Sequence, residues 1–267
     1  MMKDITIGQF YNTDSLIHRM DPRTKIIFTL VYVTTLFFAK NPFVYLTAFL
    51  ALAAYIKLSR VPLKFILRGL KALSMIIIFM VLVNLFTVPG AKVLLEWKFI
   101  RITEAGLISA VYLGLRIVFM LIGSGMMTYT TTPNALTDGL EKMLGGLKKI
   151  NVPVHEFAMI MAIALRFVPV LTEEMDRIMR AQTARGIDFQ EGNLFTKLKK
   201  LMPILVPLFV SAIRRSNELA LAMDARCYHG NEGRTKMKPL QYQRRDAIAY
   251  IFVMIYLVGM IVMAIKL

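Results

Sequence analysis

Apolar residues gather in blocks at 26–39, 43–56, 72–88, 105–129 and 247–265, each too continuous to leave a wet face. Such blocks predict membrane-spanning helices, because a span needs about 20 apolar residues at 1.5 Å of rise each. The first two are short by that standard and only Lys40-Asn41-Pro42 separates them. They predict a helical hairpin whose flanking polar residues complete the crossing. Asp21-Pro22 precedes the first block as a helix start, since a first turn tolerates a proline's missing N–H. Residues 57–71 hold Lys57, Arg60, Lys64, Arg68 and Lys71 and no acid. Pro89-Gly90 ends the third block, residues 91–104 are mixed in charge, and block 105–129 is long enough to span with tilt.

Between 130 and 246 the pattern changes. Thr131-Thr132-Pro133 breaks the chain, and 134–149 predicts a short helix ended by a basic cluster. Two longer helices are predicted at about 154–185 and 194–227. The first opens on an apolar run interrupted by Arg166 and Pro169, which reads as interfacial or protein-buried rather than spanning. It then turns amphipathic, with Leu171, Met175, Ile178 and Met179 on one face and Glu173, Glu174, Asp176, Arg177 and Arg180 on the other. The second helix repeats the plan, an apolar run with two prolines followed by Arg214, Arg215, Asn217 and Glu218. On it Ala212, Ser216 and Ala220 form an i, i+4, i+8 stripe of small residues that lets another helix approach closely, so the two long helices are expected to cross. The plainer reading is that small residues fill a helix of high propensity.

Each long helix closes on the same signal, Ala184-Arg185-Gly186 in the first and Ala225-Arg226-Cys227 in the second. A cation is favourable at a helix C-terminus, where the dipole and the last carbonyls face it. Each arginine therefore either caps its own helix or stands out as a rigid fork of donors for an acidic or carbonyl-lined socket on a partner.

Charge and composition set limits on these readings. The chain of 267 residues is 57% hydrophobic with a net charge of +16, the composition of a polytopic membrane protein. Most of its 33 Lys and Arg fall on one side if the N-terminus and the 130–246 region are both cytoplasmic. The basic excess thus reads as topology, and nucleic acid is not an expected partner. The opening residues lack the apolar core of a cleavable signal peptide. The single cysteine, Cys227, leaves no internal disulfide. No Gly-rich phosphate loop occurs, so ATP is expected to bind elsewhere. His18, His155 and His229 lack metal-ligand spacing, and Glu173, Glu174 and Asp176 read as solvated or paired with Arg177 and Arg180, so no metal or cofactor is expected. Arg116, well inside a predicted span, must face protein, water or a partner group, with Asn84 a candidate neighbour. It reads as a charge that fixes the bundle rather than an ion pathway.

Taken in order, Asp21-Pro22-Arg23-Thr24-Lys25, Leu115-Arg116-Ile117, Thr131-Thr132-Pro133, Leu165-Arg166-Phe167-Val168-Pro169, Ala181-Gln182-Thr183-Ala184-Arg185-Gly186 and Glu218-Leu219-Ala220-Leu221-Ala222-Met223-Asp224-Ala225-Arg226 give a specific resemblance. Over nearly its whole length the chain resembles the transmembrane coupling (T) component of energy-coupling factor transporters, the ABC-type importers of vitamins and transition-metal ions. The resemblance implies that the cytoplasmic helices are coupling helices. It implies that Ala184, Arg185 and Gly186, and likewise Ala225, Arg226 and Cys227, dock into two nucleotide-binding ATPase subunits. It also implies a small substrate-binding membrane (S) subunit as partner, beside membrane lipid. Cys227 departs from the family's glycine, and without that glycine the second helix is expected to run on a residue or more towards His229-Gly230.

The expected fold is all-α and polytopic: about five transmembrane helices and a cytoplasmic platform of three coupling helices, two of them crossing. The expected division is 1–129 as a bundle of four spans, 130–246 as the coupling region and 247–267 as a last span, in the plasma membrane of a prokaryote. No enzymatic activity is expected of the chain itself. A conventional ABC importer permease would line a substrate path and couple through one short helix, and a polytopic lipid or prenyl transferase would need an acidic metal-binding pair at a membrane face.

Overall fold

The architecture comes from a computed structural model, which describes residues 10–39, 41–89, 93–97, 100–150, 152–189, 193–228, 230, 237 and 239–266. Expectations that fall on residues 1–9, Lys40, Gly90, Lys92, Lys98 and His229 lie outside the described residues. The chain is all-α, in the order α1 (Pro22–Phe37), α2 (Pro42–Ser59), α3 (Leu63–Thr87), α4 (Glu104–Thr130), α5 (Pro133–Leu144), a 3-10 helix (Gly145–Ile150), α6 (Val154–Ala184), α7 (Leu194–Ala225) and α8 (Arg244–Lys266). Between α3 and α4 the sequence reading had no element, and there β1 (Val93–Trp97) and β2 (Ile100–Thr103) form a short antiparallel ribbon.

Among the described residues five helices are long and apolar enough to cross a membrane: α2, α3, α4, α6 and the Arg244–Met263 part of α8. The number agrees with the sequence reading and the membership does not. With 16 residues α1 rises only about 24 Å, short of the roughly 30 Å hydrocarbon core. In contrast, α6 continues through Pro169 without a break, and its 31 residues give it the length of a span.

The chain forms two compact units, residues 1–142 with 240–267, and residues 143–239. In the first, Asp21 is the N-cap of α1 and its carboxylate accepts the Arg23 N–H at 2.9 Å. Its own N–H donates to Asp246 Oδ1 at 2.9 Å, and the Thr24 hydroxyl donates to the same oxygen at 3.2 Å. The other oxygen of Asp246 accepts the Gln243 N–H at 2.8 Å. One buried carboxylate therefore fastens the start of α8 to the start of α1. Lys25 adds α4, donating to the Thr130 carbonyl at 2.8 Å, while Arg23 lies 3.8 Å over the Tyr242 ring.

Aromatic residues form the core of this unit. Tyr32, Leu36, Tyr45, Ala48, Leu52 and Phe119 are buried together with Tyr256 and Met260 of α8. Gly123 lets α4 close on α1, since a Cβ there would sit 2.6 Å from the Tyr32 ring. At the far end of α1, the Arg116 guanidinium donates to the Ala39 carbonyl at 2.7 Å. Its expected neighbour Asn84 keeps a buried Oδ1 with no hydrogen-bond partner among the described residues. Arg116 therefore satisfies a helix-end carbonyl that water cannot reach within the membrane. It lies twelve residues from the start of α4, which places the α1–α2 turn about 18 Å short of that end.

The second unit is built on α6 and α7. Gln182 Nε2 donates to the Pro203 carbonyl at 3.3 Å, Arg215 pairs with Glu174 at 3.5 Å, and the Tyr228 hydroxyl lies 3.0 Å from Met159 Sδ. As residue numbers fall along α6 they rise along α7, so the two helices run antiparallel over most of their length.

Candidate docking site on the paired helices

Both long helices end in the same geometry. At the end of α6, Arg185 is the C-cap and Gly186 turns left-handed at φ +89°. The Gly186 N–H donates to the Thr183 carbonyl at 2.9 Å and the Ile187 N–H to the Gln182 carbonyl at 3.1 Å. This is the paired 5→2 and 6→1 closure of a Schellman motif. A side chain at Gly186 would meet nothing within 4 Å, so glycine is there for its backbone angle and not for room.

At the end of α7, Arg226 is the C-cap and the next residue, Cys227, takes φ +55°. Its N–H donates to the Asp224 carbonyl at 2.9 Å, and the Tyr228 N–H donates to the Met223 carbonyl at 3.1 Å. The expectation that α7 runs on towards Gly230 is therefore wrong. Two satisfied carbonyls outweigh the left-handed cost of a residue with a Cβ, about 1 kcal/mol. The second motif closes as the first does, at the same position relative to its arginine.

The closures also separate the two readings of the arginines. The carbonyls of Gln182, Thr183, Met223 and Asp224 are taken by backbone N–H groups, and no hydrogen bond or ion pair among the described residues uses the guanidinium of Arg185 or Arg226. Ala184, Arg185, Gly186, Ala225, Arg226 and Cys227 are all exposed. Tyr228 against Met159 puts the Arg226 end beside the start of α6, whereas Arg185 stands at the end of α6. The two cations thus occupy opposite ends of one helix pair, roughly 40 Å apart along α6.

Other predicted residues are placed less simply. Ala212 is half-buried, while Ser216 and Ala220 are exposed. The covered positions of α7 include Ile204, Leu208, Ala212, Arg215, Leu219 and Met223, which recur at helical spacing. Glu174 reaches across to Arg215 rather than along its own helix to Arg177 or Arg180. The sequence reading missed the Glu174–Arg215 and Gln182–Pro203 links, whose signal was that Gln182 and Glu174 lie two turns apart on one face. No group of metal-ligating side chains occurs among the described residues. Leu198, Leu201, Met202, Leu205, Val206 and Phe209 leave an exposed apolar stripe along the first half of α7.

Five helices long and apolar enough to span, one of them half of an antiparallel pair tipped by two free arginines, define a multi-pass helical membrane protein. Comparison with known proteins supplies the family. The sequence profile of the CbiQ family, described as cobalt transport protein, matches residues 13–237. The energy-coupling factor transporter transmembrane protein EcfT of Acidaminococcus fermentans is 49% identical over 250 residues, covering 93% of this chain and 92% of that protein. The EcfT of Clostridium kluyveri is 48% identical over 252 residues, 93% of each chain. That of Bacillus subtilis is 42% identical over 246 residues, covering 92% of this chain and 93% of the relative. The chain belongs to this family, as a transmembrane (T) component of an energy-coupling factor transporter.

Proposed function

We propose that the paired α6 and α7 are the coupling element of the transporter, with Arg185 and Arg226 each seated in one of two ABC ATPase subunits. The observation that carries this reading is the matched geometry of the two helix ends, each presenting a free guanidinium, at opposite ends of one helix pair. ATP binding and hydrolysis belong to the partner ATPases, and their movement enters the pair at its two ends. The pair passes it to a small membrane subunit that binds the substrate, a vitamin or a metal ion. Of the small residues Ala212 lies on the covered face of α7 and lets α6 approach, while the Glu174–Arg215 link opposes free sliding.

In this reading α1 crosses with the help of its flanking residues, so that the N-terminus and the 130–246 region are both cytoplasmic, and the membrane is the plasma membrane of a prokaryote. The pair lies against the membrane instead of crossing it, although α6 is long enough to cross. Its second half carries Glu173, Glu174, Asp176, Arg177 and Arg180, and its partner α7 is not among the five apolar helices. Sinking both would bury too many charges. Residues 1–129 and 247–267 then anchor the coupling region in the bilayer.

The test is substrate uptake by cells carrying Arg185→Glu with Arg226→Glu in the intact transporter. Loss of uptake together with loss of copurifying ATPases is expected. Normal uptake by a normally inserted double variant would refute the docking role.

A further inference from the structure

Among α1, α2 and α8 the first unit holds two cavities, of about 310 and 290 Å3. Ala51 and Phe252 line both, so the two are consecutive stretches of one groove along the seam of α2 and α8. Its walls are aliphatic and aromatic, with Ile17, Phe28 and Tyr55 in the first stretch and Leu50 and Ile255 in the second. From Arg245 at one end to Met260 at the other, α8 rises about 22 Å. That exceeds the roughly 15 Å depth of hydrocarbon in one leaflet.

Charge is confined to one end. Lys25 and Arg245 are the only charged residues in the lining, and both belong to the first stretch. Lys25 is 3% exposed and gives two of its three donors to the carbonyls of Thr130 and His18, which leaves one. The nearby carboxylates are already engaged: Asp21 accepts from Arg23, and Asp246 accepts from Thr24 and from two backbone N–H groups. Arg244 and Arg245 are exposed and have no ion-pair partner among the described residues. Counting Arg23, Lys25, Arg244 and Arg245 against Asp21 and Asp246, this end keeps an excess of positive charge.

A groove that is apolar along its length and cationic at its mouth complements an amphiphile with a negative head. A cluster of basic residues where a spanning helix enters the membrane selects anionic lipid by the same electrostatics. We infer that the α2–α8 groove holds one anionic phospholipid, with its head group on Arg245, Arg244 and Lys25 and an acyl chain along the seam past Ala51 and Phe252. The lipid fills the gap beside the Asp246 clip and so helps hold α8 against α2.

The full chain, stripped of its native lipid, is placed in phosphatidylcholine nanodiscs containing a minority of phosphatidylglycerol. Lipids still bound on release are counted by native mass spectrometry. One phosphatidylglycerol per chain is expected, enriched over its share of the nanodisc about fivefold or more. Arg245→Gln should lower that enrichment about fivefold, the effect of one basic residue near the surface. Ala54→Phe with Ala249→Phe should expel the bound lipid, and Leu67→Trp, on the exposed face of α3, should change nothing. Retention of the two lipids in the proportions of the nanodisc would overturn the inference. So would undiminished retention in the filled-groove variant. Circular dichroism shows whether that variant is folded, and if it is not, Arg245→Gln alone decides.

Discussion

At the scale of single residues, Cys227 shows how a helix stop is made without the usual residue. It holds a left-handed angle at which a Cβ crowds its own backbone, and two hydrogen bonds from the residues after Arg226 keep it there. Cys227→Gly removes the crowding and keeps both bonds, so it should raise stability by about 1 kcal/mol, read as a higher melting temperature in detergent. A lower melting temperature would show that the thiol makes a contact of its own. Arg116 is the opposite case, a charge kept within a span where it gives the Ala39 carbonyl a close donor at 2.7 Å, beside the Tyr45 hydroxyl at 3.5 Å. The sequence marked both residues as unusual. It could not show what either does, because the cost of a left-handed cysteine is settled by bonds three to five residues back, and the partner of Arg116 lies on another helix.

At the scale of elements, signals local to the chain were legible and distant links were not. Helices α6 and α7 begin and end within a residue or two of their expected bounds, because their apolar periodicity and closing Ala-Arg signals sit inside them. Asp21-Pro22 likewise marked the start of α1, which is capped by Asp21. Nothing near Asp246 announces that its carboxylate serves a helix start 225 residues away. The β ribbon is the exception, overlooked although its signal was local: residues 95–99 and 100–103 each alternate apolar and polar side chains, in a stretch read only for its mixed charge. The Asp246 clip makes its own prediction. Asp246→Ala strands the Asp21 N–H and the Thr24 hydroxyl in a buried place and should cost about 3 kcal/mol. Hydrogen exchange should quicken at residues 21–25 and 243–247 together, with no change in α3. Faster exchange at only one of the two segments would contradict the clip.

At the scale of the whole molecule, the two units have different kinds of surface. The first buries an aromatic core among α1, α2, α4 and α8 and shows apolar side chains outward, as a body solvated by lipid does. The second is built on one long helix pair with little buried and much exposed. Each end of this pair is proposed to meet an ATPase. The only cysteine of the chain stands at one of those ends and is exposed, which allows a direct measurement. A short thiol-to-amine crosslinker is attached to Cys227 in the assembled transporter, and then to Ala184→Cys in a Cys227→Gly background. Mass spectrometry identifies what is captured. An ATPase subunit is expected from both positions if each end docks. Capture of an ATPase from one end only, or from neither while the complex stays assembled, would contradict docking at both ends.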